Sequence, residues 1–210
     1  MNLTLMGATG GLGRAFARQA CAAGHNVTAL VRDPARMDFS HENLRLARAD
    51  VADPGELAGF IEGRDAVVSA LGHRGKGPAT VGRRAAAATT EAMKRTGVER
   101  LVVVSAAGMV TGADDGPLTR LVAKPLLQRI LREHFADLAA MEETVRASGL
   151  AWTIVRPPQL LDKPYTGRYR TAVGRNLRGG MRIGRADAAH CMLECVEKGE
   201  PLRASVQPAY

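Results

Sequence analysis

The chain has 210 residues, 46% hydrophobic and 24% charged, with a formal net charge of +8. That length supports one sizeable core and is short for two domains, so a single domain over 1–210 is expected. With no apolar run of membrane-spanning length and no leader-like start, the chain reads as cytoplasmic with no membrane partner, and its scattered arginines, 24 of 29 basic residues, without a helix-turn-helix or zinc spacing, argue against a nucleic-acid partner.

The first predicted strand, 3–6, runs directly into Met6-Gly7-Ala8-Thr9-Gly10-Gly11-Leu12-Gly13, and a helix follows over 12–23. Glycines at 7, 10 and 13 allow a tight turn, a close approach of backbone to a pyrophosphate and close packing of helix on strand. The helix N terminus adds free N–H groups and a partial positive charge. A strand before the motif and a helix after it supply the context that a glycine pattern alone lacks. Further strands are predicted at 27–31, 44–47, 66–70, 101–104 and 152–155, and helices at 54–61, 80–96, 136–148 and 187–198, the last with Asp187 as its N-cap. This alternation predicts an α/β fold, a Rossmann-like doubly wound parallel sheet. Ligands of such sheets bind at the carboxyl ends of the strands, which selects 7–13, Arg32, Asp50, Val51, 71–74, 105–109 and 157–161. Pro157-Pro158 ends the sixth strand, and 157–186 is expected to be a loop excursion on the substrate side.

Cofactor choice is read at the end of the second strand. An acid there would bind a ribose 2′-hydroxyl, whereas an arginine pairs with a 2′-phosphate. Arg32 holds that place and Arg36 is a second cation nearby, which favours NADPH over NADH. Asp33 keeps the alternative open unless it caps the short turn at Pro34. Arg168, Arg170, Arg175, Arg178, Arg182 and Arg185 are uninterrupted by any acid between Lys163 and Ala186. They could attract an anionic acceptor such as FMN or form a solvated basic loop. Cys21, Cys191 and Cys195 read as small buried apolar residues, and no metal site is expected. Glu142 and Glu143 read as the solvated or ion-paired face of an amphipathic helix.

Several segments resemble the atypical short-chain dehydrogenase/reductase branch with an NAD(P)H-binding domain, including biliverdin reductase B/flavin reductase and NmrA-like proteins. They are GATGGLG, ALVRDPAR from Ala29, RADVAD from Arg48, DAVVSALG from Asp65, GVERLVVVSAAG from Gly97, MEETVRASGLAWTIVRPP from Met141 and DKPYTGRYR from Asp162. The resemblance implies a Rossmann sheet binding NADPH or NADH. Its contacts would come from Gly7, Thr9, Gly10, Gly11, Leu12, Gly13, Arg32, Asp50, Val51, Leu71 and Gly72. It also implies a role for Ser105 beside the nicotinamide, although that serine could equally tie off a strand end. Where the flavin reductase group has a histidine after the two prolines, this chain has Gln159, which can orient a substrate but cannot exchange a proton near neutral pH.

The tyrosine with a lysine four residues on, used for carbonyl reduction in this superfamily, is absent after Tyr165, Tyr169 and Tyr210. Hydride transfer then suits acceptors that delocalise the incoming charge. The expected activity is NADPH-dependent reduction of a small conjugated acceptor, flavin-like or quinone-like. Ser105 and Gln159 would hold the acceptor, Met109 and Leu160 would cover it, and His73 or His134 would serve as proton relay. Two alternatives remain: a non-catalytic NADP sensor of the NmrA-like type, and a tailoring reductase acting on a polycyclic quinone or enone. The oligomeric state is left open between monomer and dimer.

Overall fold

The computed structural model describes residues 1–72, 80–111, 121 and 124–210. His73 lies outside them. In chain order the elements are β1 (Asn2–Met6), α1 (Gly11–Ala22), β2 (Asn26–Val31), β3 (Leu44–Arg48), α2 (Pro54–Ile61), β4 (Ala66–Ser69), α3 (Val81–Thr96), β5 (Arg100–Val104), α4 (Lys124–Ile130) and α5 (Arg132–Ala147). They continue with β6 (Ala151–Val155), β7 (Gln159–Leu161), β8 (Arg170–Val173), β9 (Arg182–Gly184), α6 (Arg185–Glu197) and β10 (Ala204–Ala209). Eight strands form one sheet in the order β3-β2-β1-β4-β5-β6-β10-β8, parallel except for the antiparallel edge strand β8. This is the Rossmann-like doubly wound sheet that the alternation predicted.

The interior strands are apolar runs because both of their faces are covered. Leu3, Leu5 and Phe16 are buried with Ala188 and Met192 on the side covered by α1 and α6. Met6, Leu30 and Ile154 are buried with Leu57, Met93 and Met141 on the side covered by α2, α3 and α5. The edge strands β3 and β8 instead alternate or expose their residues, including Arg45, Arg48 and Arg170. Asp137 of α5 accepts the backbone N–H groups of Gly82 (2.8 Å) and Arg83 (3.1 Å), so the start of α3 is capped from a neighbouring helix. Among the described residues no helix is long and apolar enough to cross a membrane.

Three sequence expectations are corrected. Residues 157–186 are not simply loop: β7 pairs in parallel with β9, and β8 joins the main sheet through β10, itself absent from the predicted strands. Helix α5 starts at Arg132 rather than 136, which places His134 on the helix. Asp187 does not cap α6. The N-cap is Gly184, and Asp187 is a buried residue of the first turn. Its carboxylate accepts from Thr166 N (2.9 Å), Thr166 Oγ1 (2.8 Å), Gly167 N (3.0 Å) and Tyr210 Oη (2.7 Å), tying the 166–167 turn and the chain end to α6. Burial pushes its pKa up, but these hydrogen bonds outweigh that cost and hold it below the usual carboxylate value.

Candidate functional site

Strand β1 lies between β2 and β4, the point where the strand order reverses and a crevice opens at the carboxyl ends. The glycine loop occupies that point. Gly7 has φ +85°, and a β-carbon there would stand 2.5 Å from the Ala70 carbonyl oxygen. At Gly13 a β-carbon would stand 2.3 Å from the Gly7 carbonyl oxygen, so strand end and helix can approach this closely only without side chains. Helix α1 begins after Gly10 with no side-chain cap and no acid in its first turn. The result is a tight glycine-rich turn at the positive end of a helix dipole, which fits a diphosphate.

The other residues expected at the cofactor stand around the same rim. Arg32 and Arg36 are exposed at and just after the end of β2, and Asp33 Oδ1 accepts from Ala35 N (3.1 Å), capping the 34–36 turn. The sequence reading missed Arg14. Its guanidinium bonds Asp38 (2.6 Å), the Thr9 carbonyl (3.3 Å) and the Arg36 carbonyl (3.5 Å), joining the glycine loop to the basic segment. Asp50 Oδ1 accepts from Ala52 N (2.9 Å) after β3, Val51 and Leu71 pack half-buried on the core, and Gly72 is exposed.

Beyond the ends of β5 and β6 lies a cavity of about 500 Å³. Ala106–Gly108 and Pro157–Gln159 form its floor, α4 and α5 contribute Leu127, Leu131, His134 and Phe135, and the excursion contributes Leu177 and Gly179–Met181. Buried Gln207 of β10 holds the excursion side in place, accepting from Leu177 N (3.1 Å) and donating to the Gly180 carbonyl (3.1 Å). Among the described lining residues there is no tyrosine, aspartate or glutamate, and His134 and Lys124 are the titratable ones; Lys124 Nζ donates to the Val110 carbonyl (2.6 Å). The tyrosines are placed elsewhere. Tyr165 is exposed, Tyr169 Oη pairs with His190 Nδ1 (2.7 Å), and Tyr210 is held by Asp187.

Of the residues expected to act on an acceptor, Gln159 lines the cavity and Ser105 does not. Met109 faces a separate groove with Glu142 and Arg156, and Leu160 packs on the core, so neither covers the cavity. None of the six arginines of the excursion lines it either. Ser105 Oγ is buried and has no partner at hydrogen-bond distance, so it does not tie off its strand end. It stands near enough to Glu142 to help lower that carboxyl's pKa. Glu142, expected on a solvated or ion-paired face, is ion-paired and 4% exposed. Arg156 Nε (2.8 Å) and Nη2 (2.5 Å) and Arg146 Nη2 (2.9 Å) donate to its two oxygens. Burial raises its pKa, but the bonds from Arg156 and Arg146, the nearby Ser105 hydroxyl and the Arg156 charge outweigh that and hold it below the usual range.

A profile described as NAD(P)H-binding matches residues 7–199, from the glycine loop past the end of α6. The chain belongs to the NAD(P)H-binding family. This NAD(P)H-binding protein is 34% identical over 170 residues to an uncharacterized chloroplastic protein of Arabidopsis thaliana, with 77% of this chain and 60% of that protein covered. The chain therefore spans about 60% of the plant relative's length. It is 27% identical over 209 residues to uncharacterized YwnB of Bacillus subtilis, covering 95% and 94%. Among solved structures, a candidate exported protein of Burkholderia pseudomallei superposes with TM-score 0.83 at 29% identity, covering all of both chains. A candidate NADH-flavin reductase of Streptococcus pneumoniae superposes with TM-score 0.80 at 25% identity, covering 100% of this chain and 99% of that one.

Proposed function

We propose that the protein is an NADPH-dependent reductase of the flavin-reductase kind, passing hydride to a conjugated ring acceptor such as a quinone or an isoalloxazine. The observation that carries this reading is the apolar cavity of about 500 Å³ beside the cofactor crevice, without a tyrosine or a carboxylic acid among its described lining residues. A volume of that size suits a two- or three-ring substrate. An acceptor that spreads the incoming charge over a conjugated ring needs no strong acid at the moment of transfer. Since no excursion arginine lines the cavity, the enclosed ring system is expected to be uncharged, with any phosphate left outside.

The bound cofactor supplies hydride from nicotinamide C4. The chain's own residues do the rest. The glycine loop would hold the diphosphate, and Arg32 and Arg36 would select the 2′-phosphate. Pro157, Pro158 and Phe135 would exclude water from the acceptor ring, Gln159 would orient it through its amide, and His134 would return a proton after transfer.

The test is steady-state NADPH oxidation with naphthoquinones, FMN, FAD and simple aldehydes. Turnover is expected with the quinones and FMN and not with aldehydes. His134→Asn should lower kcat about tenfold with the Kd for NADPH unchanged, less than the roughly 10²–10⁴-fold effect of a proton donor acting in the transition state, because here the proton arrives after transfer. Tight NADPH binding without oxidation by any acceptor would move the protein to the sensor reading.

A further inference from the structure

Arg185, the first residue of α6, lays its side chain across the first turn of α1. A β-carbon on Gly11 would meet its Cδ and Nε, each at 2.9 Å. This placement is imposed by packing. Helix α6 is buried against α1 in the same core, Gln19 Nε2 donates to the Ala186 carbonyl (2.8 Å), and the Asp187 clamp fixes the position two residues on. The guanidinium therefore arrives at the glycine loop from the far end of the sequence. There it pairs with Asp162, just after β7, whose side chain is 91% exposed against 30% for Arg185.

Two features make this pairing exchangeable. An ion pair with so exposed a carboxylate is screened and contributes little. The cation also sits over the positive end of α1, whose first turn has neither an acid nor a side-chain cap. A diphosphate in the loop would satisfy the helix N–H groups and the guanidinium together, and an arginine fork is suited to two phosphate oxygens.

We propose that Arg185 is a ligand to the cofactor's diphosphate and that Asp162 is the counter-ion it gives up when the cofactor binds. This rests on the reading of the glycine loop as the cofactor site. Occupancy of the loop would then free Asp162 and the chain after β7, linking cofactor binding to the excursion whose other end lines the cavity.

The experiment is calorimetric titration of the full-length protein with NADPH and, in parallel, with adenosine 2′-monophosphate, which carries the adenine end and no diphosphate. Arg185→Gln should weaken NADPH about tenfold or more, the scale of one charge-assisted phosphate contact, and leave the nucleoside monophosphate unchanged. Asp162→Asn should bind NADPH more tightly than the unsubstituted protein, because the competing anion is gone. Equal NADPH affinity in R185Q, equal weakening of both ligands, or unchanged or weakened NADPH binding in D162N would each overturn the proposal. Should R185Q fail to fold, the sign of the D162N effect decides alone. No binding of NADPH or NADH by the unsubstituted protein would defeat the glycine-loop reading itself, a different result from an unchanged R185Q.

Discussion

At the scale of single residues the glycine loop divides into positions that differ in what surrounds them. Gly13 faces backbone, with the Gly7 carbonyl oxygen 2.3 Å from any added β-carbon, while Gly11 faces only the flexible Arg185 side chain at 2.9 Å. Gly13→Ala should therefore cost about 1–3 kcal/mol of stability, the usual penalty for overpacking, and abolish NADPH binding. Gly11→Ala should fold with a near-normal Tm, because Arg185 can swing aside. Paired thermal melts and NADPH titrations check both outcomes. At the other end of the crevice, Arg32 and Arg36 are exposed cations and Asp33 is occupied in capping the 34–36 turn. Arg32→Ala should weaken NADPH about tenfold, one lost phosphate pairing, with NADH affinity nearly unchanged. Equal losses for both cofactors would contradict a 2′-phosphate role.

Elements meet in this fold through a few buried carboxylates, and these had no local signature in the sequence. Glu142 and Asp187 both have folded-state pKa values held below their ordinary ones by donors that outweigh burial. Such groups add stability above the unfolded-state pKa of about 4, and lose it as the pH falls through the lower folded values. Tm should be flat above about pH 5 and drop on acidification, with the slope reduced in Glu142→Gln and Asp187→Asn. Asp187→Asn should also cost about 3 kcal/mol at neutral pH, since one buried anion accepts from both backbone and hydroxyl donors. Denaturant unfolding checks that figure, and limited proteolysis should show earlier cutting near 162–168. The sequence misassigned Asp187 and, while allowing Glu142 an ion pair, missed its burial, for one physical reason. Glu142 takes Arg146 on its own helix but Arg156 beyond β6, and Asp187 takes partners from the 166–167 turn and the chain end. Helical periodicity reports a face, not what folds onto it.

Across the whole molecule, legibility followed burial. The five interior strands β1, β2, β4, β5 and β6 appeared as apolar runs because a doubly covered parallel sheet requires them, and edge strand β3 appeared through its half-buried Leu44, Leu46 and Ala47. Strands β7 and β9 are only three residues long, β8 and β9 begin with arginine, and β10 carries Gln207 and Pro208, so periodicity could not distinguish them from loop. The same contrast holds for the site. The glycine loop is contiguous in sequence and was readable there, whereas the cavity combines residues from Ala106 to Gln207 and exists only once α4, α5 and the excursion come together over β5 and β6. The absent tyrosine acid was visible in the sequence, and the fold adds that all three tyrosines stand away from the cavity. The central claim is hydride transfer to a conjugated ring without a tyrosine acid, and single-turnover stopped-flow mixing of the NADPH-loaded protein with a naphthoquinone tests it most directly. Stoichiometric oxidation of bound NADPH by the quinone and none by an aliphatic aldehyde is expected; bound NADPH that persists with the quinone, or is oxidised only by the aldehyde, would contradict hydride transfer to a conjugated ring.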